Sequence, residues 1–289
     1  MAHKRWNLSN LSFSQGHHIS FLKCQFVLFE RSIMVSESLS GVPAKDLCML
    51  ELEGRTCLVV GAGRGIGRRM AELFSGADAN VVISSRTEAE LLEVEYNLNT
   101  GGNANVLALA ADASIESDAR SLVEQTVDKF GSVDYLIQAA GLGILKPFSE
   151  LKMDDLDNLL DANVRTSFNL FKAALPVMAE NKFGRVVAFP GILGKAPMMQ
   201  AAAYCAAKYA LTGMVKCLAQ EYKRYGIRFS LMHLGGVDSS FWDNVAMKVD
   251  RSKMLSVEAA AQSAFFAATQ PGEGVMAEVV LMPESHQLV

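Results

Sequence analysis

"TCLVVGAGRGIGRRMAELFSGA", residues 56–77, passes from a strand to a helix through a glycine-rich turn. "TCLVVGA" is an almost unbroken apolar run, the pattern of a strand covered on both faces. "RGIGRRMAELFSGA" reads as a helix opened by glycines. Gly61, Gly65 and Gly67 let the backbone turn tightly and approach a bound group closely. The helix start adds free N–H groups and the positive end of the helix dipole. A glycine string alone says little. A strand before it and a helix behind it make it a cradle for a pyrophosphate.

Outward from this stretch, short β-rich runs alternate with long helical ones. "NVVISS" (80–85), "NVLALAAD", "VDYLIQAAG", "GRVVAFPG", "IRFSLMHLGG" and "EVVLM" read as strands. "TEAELLEVEYNLNTGG" reads as a helix with a left-handed cap at Gly101-Gly102, and "IESDARSLVEQTVDKFG" as an amphipathic one. "DDLDNLLDANVRTSFNLFKAALPVMAE" reads as one long helix, and "AAAYCAAKYALTGMVKCLAQEYKRYG" as another. Strands alternating with helices of this length form βαβ units on a parallel sheet. The expected fold is α/β, a Rossmann-type doubly wound sheet of about seven parallel strands with helices on both faces.

The chain has 289 residues, half of them apolar, and a net charge of −4. That length suits one large α/β domain, and the charge gives no basic field for nucleic acid. No apolar run reaches the roughly 18 residues of a membrane span. The five cysteines, at 24, 48, 57, 205 and 217, have no metal-like or CxxC spacing, and no histidine pair has zinc-motif spacing. They read as reduced thiols, with no metal site. Residues 1–50 stand apart as an N-terminal extension, with residues 51–289 as the single nucleotide-binding domain. Lys4, Arg5, Lys23 and several serines precede the first acid, Glu30, as in an organelle transit segment. The competing reading is an unstructured extension with a true start at Met34 or Met49, which favours a cytoplasmic protein.

The end of the second strand reads cofactor choice. An acid there binds ribose hydroxyls and repels a 2′-phosphate. The residues are instead Ser84, Ser85 and Arg86, with Arg64 in the glycine loop. Guanidiniums and hydroxyls suit a phosphate, so NADP(H) is favoured over NAD(H). Asp112, just after the third strand, is placed to accept from the adenine amino group.

Together these residues resemble the short-chain dehydrogenase/reductase family, from about Leu52 to the C-terminus. The resemblance rests on Gly61-x-x-x-Gly65-x-Gly67, Asp112, "QAAG" (138–141), Asn163, Tyr204-x-x-x-Lys208 and "GGVDS" (235–239), in the family's order and spacing. It implies hydride transfer between a nicotinamide and a carbonyl/alcohol pair, and commonly a homodimer or homotetramer through the long fourth and fifth helices. It adds Ile66, Ala140, Gly141, Val237 and Ser239 to the cofactor-binding positions. It makes Tyr204 the acid/base and Asn163 the holder of a water behind Lys208, which also meets the cofactor ribose. On a helix, positions 204 and 208 share a face, and a neighbouring ammonium lowers a phenol's pKa.

The departures bear on activity. Val60 stands for the family's threonine, Gln138-Ala139 for its paired asparagines and Leu234 for its proline. The active-site serine, thirteen residues before the tyrosine, falls at Gly191, and Pro190 precedes it. Loss of such a donor costs on the order of 10²–10³ in rate. A serine restored at 191 is therefore expected to raise turnover. Leu142, Ile144, Leu145, Phe148, Met198, Met199, Phe241 and Trp242 fall in loops at the sheet's C-terminal edge and favour a small apolar substrate. Two readings stay open: an NADP(H)-dependent oxidoreductase with an incomplete oxyanion site, or a non-catalytic NADP(H)-binding sensor or scaffold.

Overall fold

The computed structural model describes residues 52–101, 105–245, 247 and 249–286. Residues 1–50, with both readings of the N-terminal extension, lie outside the described residues. The main sheet has seven strands: β1 (Thr56–Val60), β2 (Asn80–Ser85), β3 (Val106–Ala110), β4 (Tyr135–Gln138), β5 (Gly184–Ala188), β6 (Ile227–Leu234) and β9 (Glu278–Leu281). Their order is β3-β2-β1-β4-β5-β6-β9, and every pairing is parallel. A second, two-stranded parallel sheet joins β7 (Val237–Asp238) to β8 (Leu255–Ser256).

Helices cover both faces because alternate residues of each strand point to opposite sides. Cys57 and Val59 of β1 join one core with Met70 and Phe74 of α1 (Gly65–Ser75), Leu91 of α2 (Glu88–Gly101) and Ala260 and Ala264 of α7 (Val257–Thr269). Leu58 and Val60 join the other, with Leu122 of α3 (Glu116–Phe130), Phe171 of α5 (Thr166–Glu180) and Leu211 of α6 (Ala202–Tyr222). After β3, at one edge, the chain returns past β1 to lay down β4. Loops from β1 and β4 therefore diverge at their carboxyl ends and open a crevice there.

Three sequence expectations change. The long helix is interrupted by a π-helical turn at Asp161–Arg165, which joins α4 (Met153–Leu160) to α5 without a break in the helical run. Inside that turn the Asn163 amide donates to the carbonyls of Leu159 (2.9 Å) and Leu142 (2.8 Å), and Thr166 Oγ1 donates to the Asp161 carbonyl at 3.0 Å. Side chains that take backbone acceptors in this way accompany such local widening. Gly101 ends α2 as a helical residue, and Gly102 lies outside the described residues. Helix α7 had no counterpart in the strand–helix reading. "VEAAAQSAFFAAT" is apolar nearly all round, so it lacks the polar stripe that marks a surface helix. Its N-cap, Ser256, accepts from the Ala259 N–H at 3.0 Å. Among the described residues, no helix is long and apolar enough to cross a membrane.

Candidate active site

The crevice is a cleft of about 700 Å³ running along the carboxyl ends of the strands. One end is the glycine loop. A Cβ built on Gly67 would stand 2.1 Å from the Gly61 carbonyl oxygen, and one on Gly61 would stand 2.5 Å from the Ala140 nitrogen. The loop thus packs main chain on main chain, and α1 begins directly beneath the cleft. Gly61, Arg64, Gly65, Ile66, Gly67, Ser85, Arg86, Asp112, Ala140, Gly141, Val237 and Ser239 all line it. Arg64 and Arg86 are exposed.

Asp112 is tied into a turn. Its Oδ1 accepts from the Ser114 N–H (3.0 Å) and hydroxyl (2.7 Å). The Ser114 hydroxyl, and at longer range Arg86, hold its carboxyl below the usual carboxylate range. Its other oxygen has no partner among the described residues, so it keeps an acceptor for the cleft.

Tyr204 and Lys208 stand on one face of α6 and both line the cleft. Lys208 Nζ is 5.5 Å from the Tyr204 ring centre and donates to the Phe189 carbonyl at 2.9 Å. Burial depresses Lys208 to about 8. Burial pushes the Tyr204 phenol up, with Cys205 adding to the shift. Sequence reasoning expected the lysine to lower that phenol. Desolvation dominates instead, because the ammonium is turned toward a carbonyl rather than the hydroxyl.

Asn163 is fully buried and lies behind the cleft wall. Its Oδ1 has no partner among the described residues. A Cβ on Gly141 would come within 2.7 Å of that oxygen and 3.4 Å of Lys208 Nζ. The amide oxygen and the ammonium therefore both face the space that a side chain at 141 would fill. Gln138 braces this region: its amide donates to Ser167 Oγ at 2.7 Å, and its oxygen accepts from the Ala140 N–H at 3.0 Å. Ser167 in turn donates to the Asn163 carbonyl at 2.7 Å. The substitution at 138 thus leaves the strand end firmly held.

Gly191 differs from the sequence expectation in a way that matters. Its φ of 67° and ψ of 179° lie in a region open essentially to glycine alone. Its N–H donates to the Met232 carbonyl at 3.1 Å, and its own carbonyl accepts from the Gly194 N–H at 3.1 Å. His233 on β6, fully buried, also places Nδ1 3.1 Å from that carbonyl. The carbonyl can only accept, so Nδ1 carries the hydrogen; burial lowers the pKa of this imidazole. Sequence reasoning missed His233, because nothing in "IRFSLMHLGG" marks it apart from a core strand residue. Gly191→Ser is therefore expected to cost about 1–3 kcal/mol of stability, read as a lower unfolding midpoint in denaturant. A Cβ there has one heavy-atom neighbour, the Leu234 carbonyl at 3.7 Å, which would compete for the new hydroxyl. The gain in turnover expected from sequence would therefore come at a cost in stability.

The apolar rim is partly as expected. Leu142, Leu145, Met198, Phe241 and Trp242 line the cleft. Ile144 packs with Leu159 and Ala203, and Phe148 and Met199 point to solvent. Phe241 stacks on Tyr204 with centroids 6.0 Å apart. A Cβ on Gly143 would overlap its ring, so the ring occupies the slot that a bare glycine leaves. Arg251 secures this segment from outside, pairing with Asp238 (2.5 Å) and Asp243 (2.7 Å).

Comparison with known proteins agrees with this architecture. Residues 55–250 match the family model described as short chain dehydrogenase. An uncharacterized oxidoreductase of Staphylococcus epidermidis is 25% identical over 235 residues, covering 81% of this chain and all of that protein. The L-fucose dehydrogenase of Bos taurus is 29% identical over 233 residues, covering 80% and 84%. A metagenomic short-chain oxidoreductase, solved in complex with NADP, superposes with a TM-score of 0.70 at 26% identity, covering 81% and 99%. With the seven-stranded parallel sheet and the glycine cradle at its switch point, these matches establish that the chain belongs to the short-chain dehydrogenase/reductase family.

Proposed function

We propose that this protein is an NADP(H)-dependent oxidoreductase acting on a small, apolar carbonyl/alcohol substrate. The observation that carries the reading is the pairing of Tyr204 and Lys208 on one wall of the cleft that begins at the glycine loop. The cleft residues fit a nicotinamide dinucleotide. The glycine loop leaves no room for side chains where a pyrophosphate would approach, and Asp112 keeps a free oxygen for an adenine amino group. Lys208 and Tyr204 line the same cleft as Arg64 and Arg86. When bound, the cofactor supplies or accepts the hydride.

The chain's own residues handle the proton and the orientation. Tyr204 donates a proton to the carbonyl oxygen in reduction and takes one from the alcohol in oxidation. Burial keeps the phenol protonated through the neutral range, so the form that carries the proton is the one present. Lys208, which donates to the Phe189 carbonyl at 2.9 Å, would hold a ribose hydroxyl of the cofactor. Asn163, behind Gly141, holds the backbone of that wall through Leu142 and Leu159 and presents one unpaired oxygen toward a water. Gly191 offers no oxyanion donor, since its N–H is taken by Met232. The second donor comes from water or from a hydroxyl on the substrate itself. Leu142, Leu145, Met198 and Phe241 exclude water from the reacting centre.

Arg64 and Arg86 support NADP(H) over NAD(H): both are exposed at the cleft, and neither forms an ion pair among the described residues. Arg86→Ala is expected to weaken NADPH binding by about 1–3 kcal/mol and to leave NADH binding nearly unchanged, as read by fluorescence titration. Equal losses for both would remove the assignment of Arg86 to the 2′-phosphate. Exposed Phe168 and Tyr209, on the outer faces of α5 and α6, support a homodimer or homotetramer through these helices.

Substrate-dependent NADPH oxidation across a panel of aldehydes and ketones tests the activity. One observation favours the second reading, a non-catalytic NADP(H)-binding sensor or scaffold: the backbone polar groups of Gly191 are both engaged elsewhere. Cofactor binding without turnover on any carbonyl, with or without a neighbouring hydroxyl, would select it.

A further inference from the structure

The sequence has no acid at the end of β2, yet the fold returns one to that place. Glu90, in the first turn of α2, reaches back over the glycine loop. A Cβ built on Gly63 would meet the Glu90 carboxylate oxygen at 2.5 Å and the Ser85 hydroxyl at 3.4 Å. The carboxylate, the β2 hydroxyl and the loop backbone therefore converge on one point. Glu90 lines the cleft with Arg64, Ser85, Arg86 and Thr87. It is half-buried, and it forms no hydrogen bond or ion pair among the described residues. The Ser85 hydroxyl is engaged with the Thr87 backbone at 3.2 Å, which leaves Glu90 as an unused acceptor there.

We infer that Glu90 is a specificity-determining residue that opposes the two arginines. An ionised carboxylate accepts from a free ribose 2′-hydroxyl and repels a 2′-phosphate. Arg64 and Arg86 do the reverse. The balance makes this a protein that binds NAD(H) as well as NADP(H), with its preference held down by Glu90. The inference rests on the proposed nicotinamide site and concerns the strength of its discrimination.

The full-length protein and Glu90→Gln are titrated with NADPH and with NADH, and the ligand-free unfolding midpoint is measured for both. The expected result is NADPH binding tighter by on the order of tenfold, the size of one partly screened charge contact. NADH binding stays level or weakens, the NADPH gain shrinks at high salt, and the midpoint is unchanged. Glu90→Ala, which removes both the charge and the side chain over Gly63, repeats the change in the NADPH/NADH ratio and guards against a folding defect in the first variant. An unchanged ratio, or equal shifts for both cofactors, overturns the inference. Arg86→Ala run beside them separates the causes. If it weakens NADPH alone while the Glu90 variants leave the ratio fixed, the cofactor reading stands and the role of Glu90 falls. If the wild-type chain binds neither nucleotide, both fall.

Discussion

Tyr204→Phe is expected to lower carbonyl reduction by on the order of 10²–10⁴-fold, the usual contribution of a positioned general acid. The variant removes one hydroxyl and keeps the ring that Phe241 stacks on. The fold and NADPH affinity should therefore be unchanged, which titration and the unfolding midpoint check. A low rate that survives intact in Tyr204→Phe would show that the proton comes from elsewhere. The pH profile gives a second test. The phenol, raised by burial, stays protonated through neutral pH, so loss of the donor itself does not limit the neutral range. The Lys208 ammonium, depressed to about 8, is charged below that value and loses its proton above it. Wild-type reduction should fall as pH rises through about 8. The same shift acts on stability with a definite sign. Between about 8 and the ordinary lysine value of 10.5, the unfolded chain binds more protons than the folded one. This group's contribution to stability therefore improves as pH rises across that window.

Gly67→Ala is expected to abolish measurable cofactor binding and to destabilise the domain. The new methyl would stand 2.1 Å from the Gly61 carbonyl, a backbone atom that cannot rotate away. Relief requires the loop to lift from α1, which carries its N–H groups off the pyrophosphate position. A loss of 4 kcal/mol or more is in the exceptional class for a point change, and this clash has no flexible side chain to absorb it. Gly63→Ala is the informative contrast, since its methyl meets side chains only: the Glu90 carboxylate, which can swing away, at 2.5 Å, with Glu90 Cβ at 3.2 Å and Ser85 Oγ at 3.4 Å. Titration with NADPH and thermal unfolding separate the two: binding lost in Gly67→Ala and retained in Gly63→Ala. Retained binding in Gly67→Ala would mean that the loop does not cradle the pyrophosphate.

The sheet was legible because β1, β2 and β4 through β6 are apolar on both faces, and only a doubly covered parallel sheet asks for that. The glycine loop and the Tyr204–Lys208 pair were legible because their chemistry depends on local spacing. What sequence missed depends on long-range approach. Glu90 is an ordinary helix-surface acid until α2 folds over Gly63, and His233 is an ordinary strand residue until β6 lies beside Gly191. The π-turn at Asp161–Arg165 inserts its bulge without changing the apolar pattern, so periodicity runs straight through it. Gly191 shows the limit most clearly. The missing hydroxyl is visible in the letters, whereas the backbone angle that opposes its return exists only in the folded chain.

The aromatic segment over Tyr204 carries its own optical label. Trp242 packs edge-on against Phe241, with centroids 5.1 Å apart, and its indole N–H donates to the Val237 carbonyl at 2.9 Å. The only other tryptophan is Trp6, so Trp6→Phe leaves a single indole one residue from the ring that shields the phenol. Emission wavelength and quenching of that indole then follow the polarity around the aromatic segment that packs on Tyr204. The arrival of a nucleotide or a carbonyl compound becomes readable in an unlabelled protein, apart from any turnover.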